Sequence, residues 1–197
     1  MKTTLSFDDV LLVPSYSNIE SRSEVNLAST LREEEFDEDT AKKIEQVSFS
    51  LPIISSPMDT VTGSKMAQAM SDSGGLGIVH RYCTIQQQVE MLPNKSRWPA
   101  AAIGVTGDFE ERAQELFDND CKILCIDVAH GHHISVKKAL FSLKKRFDDR
   151  VVLIAGNVAT ASAFEDLSRW GADAVRVGIG GGSICSTRIQ TGHGVPT

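Results

Sequence analysis

From residue 51 onward the chain alternates short apolar runs with longer segments whose apolar residues return every three or four positions. The runs occupy residues 53–54, 76–79, 100–105, 123–126, 151–155 and 174–177. They are short and, Arg176 apart, apolar at successive positions, the pattern of strands buried on both faces. Between them Val136, Ala139, Leu140, Leu143 and Phe147 mark one face of a helix, and Ala163, Phe164, Leu167 and Trp170 mark another. Strand and helix alternating in this way predict a parallel sheet, because parallel neighbours need a crossover that a helix supplies. Thr84 with Gln87 and Asp108 with Glu111 have the spacing of capping boxes, and Gly171 is placed to close the helix ending at Trp170.

An open doubly wound sheet and a (β/α)8 barrel both fit this pattern, and both place ligands at the carboxyl ends of the strands. A barrel takes about 250 residues, whereas the chain has 197 and six strand candidates. The acidic stretch 31–39 precedes those strands and reads as a solvated loop or peripheral element without assigned function. No repeat of solenoid period and no low-complexity linker interrupts the chain.

A hydrophobic content of 41% with 23% charged residues suits one globular domain. The net charge of −6 argues against broad binding to nucleic acid, which relies on many Lys and Arg contacts to phosphate. No apolar run approaches the length of a membrane span, and no secretory leader pattern opens the chain, so a cytoplasmic protein is expected. Cys83, Cys121, Cys125 and Cys185 form no C-x-x-C pair and are read as free thiols, with Cys121 and Cys125 as small apolar residues in or beside a strand.

The segment 176–188 carries the most chemistry. Gly178, Gly180, Gly181 and Gly182 follow a strand and permit positive φ angles and close approach to a ligand. Ser183 stands where the dinucleotide fingerprint needs its third glycine, and no Gly-Lys-Ser ending of a P-loop is present. Position gives the cradle its value, since amides after a strand face the ligand side and can hold a phosphate. Cys185 lies just beyond, where a helix N-terminus and Arg188 would favour the thiolate. Asp127, ending an apolar strand, is expected to be paired or to contact a polar ligand group. His130, His132 and His133 follow it as a polar loop, with no partner spaced to complete a transition-metal site.

These residues, with Leu5-Ser-Phe-Asp-Asp-Val-Leu-Leu-Val-Pro14, Ser55-Ser-Pro-Met-Asp-Thr-Val61, Gly75-Leu-Gly-Ile-Val-His-Arg81, Asp127-Val-Ala-His-Gly-His132 and Ala155-Gly-Asn-Val-Ala-Thr160, resemble the catalytic barrel shared by inosine monophosphate dehydrogenase and guanosine monophosphate reductase. The resemblance covers nearly the whole chain. It implies an α/β fold, an incomplete (β/α)8 TIM barrel with about six of eight βα units, in which residues 1–197 are the N-terminal portion of one catalytic domain. It further implies a purine nucleoside monophosphate whose C2 is attacked by Cys185, with hydride exchanged between that carbon and NAD, or NADPH in the reductase branch. Ser183 would hold the 5′-phosphate, Ser56 and Met58 would contact the nucleotide, and Thr187 would handle protons near the thiol. Asp127 and Asn157 would lie near the nicotinamide or the reacting base, and Arg176 beneath the catalytic loop. Carbonyls of Gly180, Gly182 and Cys185 would bind potassium.

The 55–61 and 79–81 motifs resemble the dehydrogenase branch, while the interval from Thr84 to Ala100 has no room for the regulatory module that dehydrogenases commonly insert. Gly181 replaces the proline or serine usual in the cradle, and residues 189–197 depart from the family's usual ending. By resemblance, two more strands, the ribose-binding aspartate and the mobile flap would be supplied by a C-terminal portion or a complementary chain. The expected assembly of the complete protein is a homo-oligomer. No nucleic-acid or membrane partner is expected.

Overall fold

The computed structural model describes residues 9–32, 35–37, 42–44, 46–182 and 185–195. Four short strands come first: β1 (Ser29–Arg32), β2 (Glu35–Asp37), β3 (Lys42–Ile44) and β4 (Val47–Phe49). They form two antiparallel ribbons, β1 with β4 and β2 with β3. The acidic stretch thus contains a strand of a peripheral ribbon. The alternating units follow as β5 (Ile54–Ser55), α1 (Ser64–Asp72), β6 (Leu76–Val79), α2 (Ile85–Glu90), β7 (Ala100–Ile103), α3 (Phe109–Asp118), β8 (Ile123–Asp127), α4 (Ile134–Phe147), β9 (Val152–Val158), α5 (Ala161–Arg169), β10 (Ala174–Val177) and α6 (Thr187–Thr191).

Strands β5 to β10 form one sheet in sequence order, and every pair is parallel. This is the six-stranded part of a (β/α)8 barrel: the periodicity predicts a parallel sheet, and the family resemblance implies its barrel form. The doubly apolar strands are explained by two cores. Leu124 and Ile126 of β8 pack with Leu116, Leu140, Leu143 and Leu167 beneath the helices, whereas Ile123 and Cys125 face the other core with Ile78, Ala100, Ala102 and Ile154. Val47, Phe49 and Trp98 belong to this second core, so the β1–β4 ribbon covers part of the inner face. Cys121 and Cys125 are fully buried, and burial pushes both thiols up to about 12, which makes them inert packing residues at neutral pH.

Helix boundaries follow the sequence with one correction. Thr84 and Gln87 make a complete capping box at α2. Gly171 takes φ +101° after α5, where its amide and that of Ala172 bond back to Ser168 and Leu167. Asp108 does not cap α3 with its side chain. Its carboxylate is drawn instead to Arg112, 2.7 Å away, because an ion pair one turn on competes with the helix's first amides.

The two outer strands keep apolar surface exposed: Ile53 and Ile54 at one edge are 53% and 44% accessible, and Val177 at the other is 66% accessible. None of the described helices is long and apolar enough to cross a membrane.

Gly77 tests the packing of α1 on β6. A Cβ there would stand 2.6 Å from the Cα of Ala67, which is itself fully buried. Gly77→Ala is therefore expected to destabilise the protein by about 1–3 kcal/mol through overpacking. The readout is the urea midpoint followed by circular dichroism, and an unchanged midpoint would contradict the packing described.

Candidate functional site

The carboxyl ends of β8, β9 and β10 bring Asp127, Asn157 and Arg176 to one cavity of about 630 Å³, into which the glycine loop projects Gly180, Gly182, Cys185 and Thr187. Their common origin is the parallel sheet, which delivers the last residue of each strand to the same side. Gly178 and Gly180 adopt φ +125° and +69°, the left-handed region that a side chain resists, and this turns the chain from β10 across the cavity. The Cys185 amide then donates to the Gly182 carbonyl at 3.0 Å, which closes the loop beneath the thiol.

Arg176 spans β9 to form an ion pair with Asp127, and its guanidinium also lies 3.8 Å from the buried Cys125 sulfur. Both partners are mostly buried, with side chains 25% and 19% accessible. Burial works against the Arg176 charge, but Cys125 and Asp127 more than offset it and raise its pKa. Asn157 donates from its side-chain amide to the Gly178 carbonyl at 2.8 Å and so fixes the start of the glycine loop.

The Cys185 thiol is acidified, and the cause differs in emphasis from the expectation. The hydroxyl and amide of Thr187 lower its pKa most, and the Arg188 charge adds less. Helix α6 is five residues long, so little macrodipole stands behind the sulfur. A partly exposed sulfur with a local donor two residues on has the character of a nucleophile.

The remaining expected residues are placed less directly. Ser56 and Met58 lie on the turn after β5, at the carboxyl side of the sheet but outside the lining of this cavity. That turn is tied down by Thr62, fully buried, whose hydroxyl lies 2.6 Å from the Ser56 carbonyl and 2.9 Å from the Ser55 hydroxyl. Ser183 lies outside the described residues. His132 bonds Asp166 at 2.8 Å and stacks on Trp170, while His133 accepts from the Ser135 amide at the start of α4. Among the described residues no group of three His, Cys, Asp or Glu side chains is placed to hold a metal ion. Carbonyl oxygens of the glycine loop are hard donors of the kind a group I or II cation takes, and Gly182 retains one lone pair beyond its bond to Cys185.

Two lining residues on the turn after β6 were not among the expected site residues: Arg81, which entered only as the end of a family motif, and Tyr82. The Arg81 Nε is buried without a hydrogen-bond partner among the described residues, and its guanidinium lies 5.1 Å from the Tyr82 ring centroid. A buried donor with no partner is costly unless a ligand satisfies it. The signal available in the sequence was a cation two residues beyond a fully apolar strand.

Fold and site together define a barrel-type α/β protein with an acidified thiol at its ligand face. Residues 4–197 match the IMP dehydrogenase / GMP reductase domain, and the chain belongs to that family of oxidoreductases. It is 30% identical to an inosine-5′-monophosphate dehydrogenase of Nitrosopumilus maritimus, covering 99% of this chain and 65% of that protein. It is 35% identical to a GMP reductase of Buchnera aphidicola, covering 98% and 54%. The structure of an inosine 5′-monophosphate dehydrogenase from Legionella pneumophila superposes with a TM-score of 0.82 at 41% identity, over 98% of this chain and 56% of that one. The chain therefore spans roughly half to two-thirds of the length of these relatives.

Removing the Thr187 hydroxyl should return Cys185 toward ordinary thiol behaviour. In Thr187→Val the pH of half-maximal alkylation by iodoacetamide is expected to rise, and Arg188→Gln should raise it less. Peptide mapping of Cys185 gives the readout; a Thr187→Val profile that overlays the parent would remove the hydroxyl as the cause.

Proposed function

We propose that this chain forms the thiol-bearing part of a purine nucleotide oxidoreductase that converts inosine monophosphate to xanthosine monophosphate with NAD. The observation that carries the reading is Cys185, acidified by Thr187 and sharing one cavity with Asp127, Asn157 and Arg176. The identity of 41% with the Legionella dehydrogenase supports the choice of reaction.

In this reading the Cys185 sulfur gives an electron pair to C2 of the purine, and Thr187 governs the proton at that sulfur. Bound NAD would supply the acceptor for the hydride that leaves C2. Water then replaces sulfur at C2, releasing product and restoring the thiol. The chain's contribution is to hold the reacting carbon in a fixed orientation, since covalent attachment turns an encounter into an oriented transfer. Asn157 and the Arg176–Asp127 pair present amide and guanidinium donors and a carboxylate acceptor to the nicotinamide side. Ser183 and nearby amides would hold the 5′-phosphate, with Ser56 and Met58 approaching from the β5 side. Carbonyls of Gly180, Gly182 and Cys185 would take potassium and stiffen the loop.

A second reading has a specific observation behind it. The alignment with the Buchnera GMP reductase runs over 198 residues, nearly the chain's own length, whereas that with the Nitrosopumilus dehydrogenase runs over 322. This compact layout favours a reductase, releasing ammonia from guanosine monophosphate with NADPH. A third reading is a nucleotide-binding or subunit-binding remnant without turnover. The exposed apolar edges at Ile53, Ile54 and Val177 support a requirement for complementary strands before either reaction proceeds. The four free cysteines support a cytoplasmic location.

Inosine monophosphate is expected to protect Cys185 from alkylation more strongly than guanosine monophosphate; the reverse order would favour the reductase. With complementary strands supplied, Cys185→Ala should lower turnover on the order of a thousandfold or more. Full turnover in that variant would dismiss the thiol as nucleophile.

A further inference from the structure

A buried hydrogen-bond network links the turn carrying Arg81 and Tyr82 to the inside of the fold. Gln88 on α2 is fully buried, and its amide nitrogen lies 2.8 Å from the Ala102 carbonyl on β7 and 3.4 Å from the Val79 carbonyl on β6. Its amide oxygen accepts from Arg112 on α3 at 2.8 Å. Arg112, 7% accessible, reaches on to the Cys83 carbonyl at 3.0 Å and to the Asp108 carboxylate at 2.7 Å. The turn is braced from its other end by the Tyr82 amide, 3.2 Å from His80 Nδ1, and by the His80 amide, 3.2 Å from the Thr62 carbonyl.

We propose that Arg112, held by Gln88, is a positioning residue that sets the 80–83 turn and thereby the reach of Arg81 and Tyr82 into the thiol cavity. Burying a guanidinium has a desolvation cost that an apolar side chain would avoid, and the network has no open chemistry of its own. Three of its contacts end on backbone carbonyls, one on β6, one on β7 and one in the turn, so the network fixes main-chain position. The consequence for a ligand rests on the nucleotide reading above; the consequence for the turn does not.

The chain contains two tyrosines, the exposed Tyr16 and Tyr82. Labelling with 3-fluorotyrosine therefore gives one fluorine resonance for the turn and one internal reference. In Arg112→Met and Gln88→Leu the Tyr82 resonance is expected to shift and broaden while that of Tyr16 stays in place. Asp108→Asn, which removes the half-exposed ion pair and leaves Gln88 and Cys83 engaged, should leave both resonances unchanged. If Arg112→Met does not fold, Arg112→Lys decides, since one ammonium cannot reproduce the fork to Gln88 and Cys83.

The same variants should need about tenfold more inosine monophosphate to protect Cys185, because small displacements of positioning groups weaken recognition, and Asp108→Asn should not. A Tyr82 resonance indifferent to Arg112 would overturn the proposal, as would equal loss of protection in Asp108→Asn. Should neither nucleotide protect the parent protein, the functional reading fails, and the fluorine spectra still decide the role of Arg112.

Discussion

Burial of the parallel strands on both faces is the constraint from which the site follows. A strand such as β8 gives alternate residues to the helical layer and to the inner core, which leaves no room for charge along its length. Polar side chains are tolerated where the strands stop, and there Asp127, Asn157 and Arg176 appear at adjoining ends. Because neighbouring strands run the same way, their ends converge, and residues far apart in sequence share one cavity.

Within that cavity the division of labour is electrostatic. The Arg176–Asp127 pair ties two strand ends across β9 and compensates two charges that burial alone would disfavour. Asn157 anchors the glycine loop by its contact with Gly178. The thiol at the far end of that loop has its pKa lowered by neighbours two and three residues on, so the loop supplies the groups that acidify it. A second layer, from Thr62 through His80 to Arg112 and Gln88, holds the turns on the opposite side by their backbone carbonyls and amides. Hydrogen bonds in such buried surroundings are costly to break, which suits them to fixing geometry.

The sequence was most legible where one physical rule acted locally. Successive apolar residues gave the six parallel strands, the three-to-four spacing gave α4 and α5, and Thr84 with Gln87 gave a cap that forms as its spacing implies. Asp108 and Glu111 show where such a rule yields: a guanidinium one turn on takes the carboxylate away from the helix amides. The β1–β4 and β2–β3 ribbons were not anticipated, because strands of three or four residues carry too little period to be distinguished from loop.

By itself the sequence determined the parallel architecture, the strand-end placement of the candidate site and the candidacy of Cys185, since each follows from side-chain hydrophobicity or from residues close together in the chain. Tertiary structure alone decided that Arg176 would pair with Asp127, that Thr187 would outweigh Arg188 at the thiol, and that Arg81 would join the cavity. It also decided that Gln88 and Arg112, unremarkable on two amphipathic helices, would meet in a buried network. Those outcomes depend on distance and solvent exclusion between separate elements, and neither quantity exists until the sheet has brought the elements together.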